Sequence, residues 1–346
     1  MTAKTRALLL EHYKKYPKLR AEDIFKYLFQ SAFGCEHLVS DYSAALNYIK
    51  KELENVSALP TLDELDGEYT RVHISCLAPE TLARLFCLSA KKEEGLEALK
   101  AKLNVARELV ADGTLSLDAD EFEKKLNAWR SAGYPALHHS DAFREAYHPA
   151  YRVISNKYVK FLSLFAAIDR LAASGRATIA IEGGSASGKS TLADLLASVY
   201  DCNVFHMDDF FLRPEQRTPE RFAEIGGNVD RERFLEEVLA PLSKGEAVCY
   251  RPFDCARWAL GEPISVEPKR LTIVEGAYSM HPELEGFYDY SVYLDIDADY
   301  QRERVLKRNP ALANRFFGEW IPLENRYFEG MRVKERCKAI IKIDKN

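Results

Sequence analysis

"IEGGSASGKST", residues 181–191, decides the fold of the second half of this chain. It contains G-x-x-x-x-G-K-S, from Gly183 to Ser190, at the end of the continuous apolar run "ATIAIEGG". Such a run suits a strand buried on both faces. A strand, a glycine loop and then a helix bring several backbone N–H groups to one point, where the amides and the helix dipole favour anionic oxygens. Gly183, Gly184 and Gly188 let the backbone approach a phosphate with no Cβ in the way. Ser185, Ala186, Ser187 and Thr191 complete the cradle. Lys189 is expected to reach the outer phosphates of a bound ATP, and Ser190 to ligate Mg²⁺. The alternative is a glycine-rich turn that binds nothing.

Outward from this loop the pattern is of strands alternating with helices. "NVFHMD", "LTIVEG", "SVYLDID" and "KAIIKI" are short apolar runs, with helical stretches at 190–199, 231–243 and 299–308 between several of them. This alternation predicts an α/β domain with a mainly parallel sheet, the P-loop NTPase fold, over residues 173–346. Residues 1–172 read differently. "RAEDIFKYLFQSAFG" sets Ile24, Phe25, Leu28 and Phe29 on one stripe, with Gly34 placed to end the helix. Four more helical patterns follow, and only "EYTRVHISCL" alternates like a strand. A mainly α-helical N-terminal domain is expected there, joined to the second by the helix in "YVKFLSLFAAIDRLAASGR".

Composition narrows the function classes. With 47% hydrophobic and 29% charged residues, the chain has the make-up of an ordinary globular protein. Residues 1–172 carry 24 basic and 24 acidic side chains and the remainder 24 and 29, so neither half has the basic excess of a nucleic-acid binder. No charged-then-apolar leader opens the sequence, and its longest apolar stretch, 161–168, is too short to cross a bilayer. Seven scattered cysteines without C-x-x-C point to reduced thiols and a cytoplasmic setting. Self-association into a homo-oligomer stays open.

A phosphate cradle becomes a kinase only with a group that activates an acceptor. "NVFHMDDFFL" puts acids at the end of the second strand of the domain, on the edge where ligands of an open α/β sheet gather. Asp208 is the candidate general base, and Asp209 the second choice or a residue near the metal. Phe210 and Phe211 are candidates for walling an organic substrate, or else for the core. Glu275, ending "RLTIVE", is placed to hold Mg²⁺ with Ser190. Arg302, Arg304 and Arg308 lie on one helix and are candidates for closing over phosphates, or for a solvated face.

This ordered series resembles the uridine kinase-like branch of the P-loop kinases, which includes uridine kinase, phosphoribulokinase and pantothenate kinase. The resemblance spans about residues 176–345 and rests on "GGSASGKST", "MDDFF", "GGNVDRERFLEEVLAPLSKG", "YRPFD", "IVEGAY" and "VYLDIDADYQRERVLKR". It implies an ATP- and Mg²⁺-dependent transfer of the γ-phosphoryl group to a hydroxyl of a nucleoside or similar small molecule. Asp208 falls on the acid that takes the hydroxyl proton, and Glu275 on the acid near Mg²⁺. Phe253 and Asp254 fall in the acceptor-lining segment, and Arg304 and Arg308 near the lid. Two departures bear on the acceptor: Trp258 stands near the place of the pyrimidine-reading histidine of uridine kinases, and phenylalanine replaces a tyrosine at 253.

The N-terminal half holds six of the eight histidines. Cys35, Glu36, His37, His138, His139 and His148 are candidates for a metal site. Arg144, Arg152, His138 and His148, with Ser140 near a helix start, are candidates for an anion site. The alternative for all of them is structural capping and buried hydrogen bonding. An ATP-binding module that regulates the N-terminal half, or a second active site within that half, are the rival functions.

Overall fold

The computed structural model describes residues 2–34, 41–56, 61–65, 68–90 and 95–345. They fold as two compact units, Met1–Ala166 and Ala167–Asn346.

In the first unit, helices α1 (Thr2–Lys15), α2 (Ala21–Phe33), α3 (Tyr42–Leu53), α4 (Pro79–Ser89), α5 (Leu96–Ala111), α6 (Ala119–Ser131) and α7 (Asp141–Tyr147) accompany a three-stranded antiparallel sheet. Its strands are β1 (Leu62–Glu64), β2 (Tyr69–His73) and β3 (Tyr151–Ser155), with β2 in the middle. Helix α2 buries Ile24, Phe25 and Leu28 as its periodicity predicts, while Phe29 is half-buried and stacks on Phe33. Gly34 closes the helix at φ +66°, donating its N–H to Gln30 O. Asp41 caps α3 through the Ala44 N–H, and Asp118 caps α6 through the Glu121 N–H. The alternating stretch "EYTRVH" forms β2, and every residue of that strand is buried. Strand β3 was not expected: "YRVIS" is five residues beside a histidine cluster, too short for periodicity to separate it from a turn.

The second unit is built on five parallel strands: β4 (Ala177–Gly183), β5 (Cys202–His206), β10 (Leu271–Glu275), β11 (Tyr290–Ile296) and β12 (Ala339–Ile343). They lie in the order β12-β11-β4-β10-β5. Two small antiparallel pairs, β6 (Val248–Tyr250) with β9 (Ile264–Val266) and β7 (Phe253–Asp254) with β8 (Ala259–Leu260), are inserted before β10. A short turn of helix, α8 (Asn156–Val159), precedes α9 (Leu162–Ser174), which leads into β4; helix α10 (Lys189–Val199) leaves β4 through the glycine loop. Strands that follow β4 add first on one side of it and later on the other. The sheet therefore has its topological switch at the carboxyl end of β4, where a crevice opens. The central sheet, the flanking helices and the loop after the middle strand make this unit a P-loop kinase-like fold.

Register does the positioning. Glu275 pairs with Ile181 on one side and with His206 on the other, so β10 and β5 finish level while β4 runs two residues further into the glycine loop. Ile179 and Ile273, both fully buried, face each other in the middle of this arrangement. Replacing Ile273 by alanine removes buried methyl groups and leaves a cavity, a loss of about 2–5 kcal/mol. Chemical denaturation should show the unfolding midpoint of this unit moving down; an unmoved midpoint would mean that the strand is not a core element.

Candidate functional site

The loop 183–191 needs backbone shapes that few residues adopt. Gly183 and Gly188 lie at φ +146° and +102°, and Ala186 takes the left-handed region at +61°. A Cβ on Gly183 would stand 2.8 Å from Leu294 O, so only glycine fits between the loop and β11. Ser187 N–H closes the loop on Gly184 O at 3.1 Å, and helix α10 begins at Lys189.

Around the loop stand side chains from every strand end. Ser190 Oγ donates to Glu275 Oε1 at 3.0 Å, and His206 Nδ1 meets the same oxygen at 2.6 Å. Lys189 Nζ donates to Gly184 O at 3.1 Å. Burial pushes the Glu275 carboxyl up, but the His206 hydrogen bond and the Lys189 charge outweigh it and hold the pKa low. The same bond raises the His206 pKa. Asp208 and Asp209 follow β5 on a single helical turn, Met207–Phe210. Asp208 is open to solvent at its tip, yet protein surrounds it closely enough that loss of water raises its pKa. Nearby Glu275 adds to that rise and Lys189 opposes it. Asp209 is also raised, chiefly by burial, and accepts from Tyr250 OH at 3.2 Å.

The hydroxyl and carboxylate oxygens of Ser190, Glu275 and Asp208 form a donor set suited to a hard cation such as Mg²⁺. Their summed charge also matters. Acids beside an anion cradle repel phosphate unless a cation offsets them, and these acids face few cations besides Lys189 and His206.

Of the helix arginines, Arg304 reaches the loop, its Nη1 lying 3.4 Å from Ser187 O. Arg302 stacks over Phe317 instead, and Arg308 is exposed at the end of the helix Ala298–Arg308. Phe210 is wholly buried between Phe234 and Tyr250, which decides between its two expected places: it is core. Phe211 is half-buried, bridging to Val229. Phe253 is buried with its ring edge toward Trp258, whose indole is 50% exposed and carries the Arg217 guanidinium 4.5 Å above it. Asp254 accepts from the N–H groups of Ala256 and Arg257, fixing the β7–β8 turn.

Three residues that sequence reasoning passed over also shape this site. Glu182 ends β4 fully buried. It accepts from the Gly183 N–H at 2.9 Å, the Met280 N–H at 3.0 Å and Tyr327 OH at 3.1 Å. Glu324, also buried, accepts from Ser185 N at 2.8 Å and Ser185 Oγ at 2.6 Å. Gln301 Nε2 donates to Ser185 O at 2.7 Å. The one local signal was Glu182, a charge closing an otherwise apolar strand.

The candidate residues of the first unit do not converge. His139 is buried between Asp23 (Oδ1, 2.8 Å) and Tyr151 (OH, 2.7 Å), and burial pulls its pKa down to about 4. His138 beside it is exposed. Arg144 pairs with Asp141, and Arg152 with Glu52 at 2.8 Å, while His148 ends α7 in a left-handed conformation. Ser140 caps α7 and bonds Asp23. His37, with Cys35 and Glu36, lies outside the described residues. Among the described residues no three His, Cys, Asp or Glu side chains gather as metal ligands, and no helix is long and apolar enough to cross a membrane.

Burial pushes the Glu182 carboxyl from 4.5 up to about 7, against the hydrogen bonds it accepts. The folded chain therefore holds this proton more tightly than the unfolded chain. Stability from this group is fully present below pH 4.5 and is lost as pH rises to 7. Relative to Glu182→Gln, the wild type should lose on the order of 3 kcal/mol across that window. Denaturant titrations at several pH values would measure it, and a pH-independent difference would contradict it.

No protein-family model matches the chain, and no curated protein matches it. Among solved structures it is similar to a possible uridine kinase from Bacillus stearothermophilus, at 21% identity, covering 52% of this chain and 99% of that one with a TM-score of 0.39. It is also similar to TT1252 from Thermus thermophilus, at 17% identity, covering 49% of this chain and 90% of that one with a TM-score of 0.30.

Proposed function

We propose that the second unit is an ATP-dependent small-molecule kinase, transferring the γ-phosphoryl group to a hydroxyl of a nucleoside or a metabolite of similar size. The observation that carries this reading is Asp208. It is a carboxylate of raised pKa, open to solvent, at the strand end beside a glycine loop and its lysine. A module that merely held a nucleotide would have no use for a base of that kind there.

In this reading the amides of residues 183–191 hold the triphosphate and the Lys189 amine turns from Gly184 O to the phosphate oxygens. Ser190 and Glu275 hold Mg²⁺, which when bound supplies positive charge against those oxygens. His206 keeps Glu275 ionised and oriented through its short hydrogen bond. Asp208 accepts the proton of the acceptor hydroxyl as that oxygen bonds to the γ-phosphorus. The bond from phosphorus to the bridging oxygen breaks, and ADP leaves. Arg304, already against the loop, offsets charge that builds on the transferring group. Phe211, Asp254 and the exposed face of Trp258, backed by Phe253, form the acceptor side. Most of the rate enhancement is then positioning and electrostatics.

An ATP-consumption screen over nucleosides, pantothenate, sugars and their phosphates tests this directly. One hydroxyl acceptor should accelerate turnover, and Asp208→Asn should lower kcat by about 10²–10⁴-fold with the protein still folded. Activity should fall as pH drops through the Asp208 pKa, on a limb above the ordinary carboxylate range, because the base must be unprotonated. If no acceptor yields a phosphorylated product, the kinase reading fails and nucleotide-linked regulation replaces it.

A further inference from the structure

The strongest unassigned chemistry lies in the first unit, on β2. Arg71 and His73 are two residues apart, so their side chains leave the same face of the strand. Both are buried, at 1% and 3% exposure, and both line a cavity of about 220 Å³. At roughly 30 Å³ per water molecule, that is room for about seven waters or one small metabolite.

Arg71 is an uncompensated charge. Its Nε donates to Gln30 Oε1 at 2.8 Å and its Nη1 lies 3.4 Å from His12 Nε2. Tyr27 and Tyr151 sandwich the guanidinium at 5.3 and 4.6 Å. Among the described residues no carboxylate pairs with it, and its Nη2 has no hydrogen-bond partner. His12 is no counter-charge: burial first, and then the Arg71 charge, keep its ring neutral. Asp63, the carboxylate of the cavity wall, is taken up by the Lys15 amine and by Tyr16 OH at 2.7 Å. A buried guanidinium without an anion is costly, and proteins rarely leave one so.

His73 supplies the second unmatched donor. The Ser75 N–H lies 3.3 Å from His73 Nδ1, which therefore accepts, and this assigns the ring proton to Nε2. That Nε2 is buried and also has no partner. Both residues line the same small cavity, and each keeps one buried N–H group with no hydrogen-bond partner among the described residues. Tyr147 and His148 add polar groups to its wall, and His148 is the one residue of the expected histidine cluster that takes part.

We propose that this cavity binds the oxyanion of a small metabolite, a carboxylate or a phosphate monoester, held by the Arg71 guanidinium and the His73 imidazole, whose unpartnered N–H groups turn toward it on binding. The planar guanidinium edge suits either oxyanion, and the imidazole N–H supplies a further hydrogen bond. The site is separate from the loop 183–191 and does not depend on the kinase reading.

Isothermal titration calorimetry of the full chain with inorganic phosphate and with malonate tests this, in a Lys189→Ala background that weakens anion binding at the loop. At least one of the two should bind at one site per chain, and which binds more tightly distinguishes a phosphorylated from a carboxylated ligand. Adding Arg71→Lys or His73→Phe should weaken that binding tenfold or more, with circular dichroism confirming the fold. If Arg71→Lys does not fold, His73→Phe decides the matter, because among the described residues the His73 side chain bonds Ser75 alone. The proposal is overturned if neither anion binds, or if binding survives the substitutions unchanged.

Discussion

The buried carboxylate of Glu182 is where the second unit is tied together. One of its oxygens accepts from the first residue of the glycine loop, and the other from the 279–280 turn and from Tyr327. The next residue of the chain and two segments distant in sequence are thereby fixed near the end of the central strand. A buried acid is expensive unless its lone pairs are satisfied, and here the loop amide is among the groups that satisfy it. The start of the glycine loop is therefore set from beneath, by a side chain buried under it.

Above this anchor the register of the sheet aligns the working residues. Glu275 is level with His206 because β10 and β5 pair in parallel without offset, and level with Ile181 two residues before β4 ends. The electrostatics follow from that alignment. Glu275 ionises because His206 and Lys189 face it, while Asp208, one turn further out, keeps a raised pKa because burial outweighs Lys189. The two acids are thus shifted in opposite directions, the division that the proposed roles of cation holder and proton acceptor would draw on.

Much of this was legible in the sequence where the signal is local. The loop, its strand and its helix are contiguous, and the strand-end positions of Asp208 and Glu275 follow from apolar runs that stop at an acid. What stayed hidden is long-range. The Ser185–Glu324 and Glu182–Tyr327 bonds join residues 139 and 145 positions apart, and no periodicity links them. Phe210 was ambiguous because an aromatic after a strand packs inward or outward according to neighbours such as Phe234 and Tyr250. In the first unit the unpartnered nitrogens of Arg71 and His73 lie in a strand whose short alternation gave no hint that all five residues would be buried.

The bond between Ser185 and Glu324 has a thermodynamic consequence. A backbone N–H offers one proton, and while Glu324 holds it that proton is withheld from any other anion at the cradle. Glu324 belongs to the helix Ile321–Gly330, so the seating of that helix and the filling of the cradle draw on the same donor. If an anion takes that donor, as the proposed function would have it, the two equilibria are linked reciprocally: it loosens the Glu324 bond, and loosening that bond favours the anion by the same free energy.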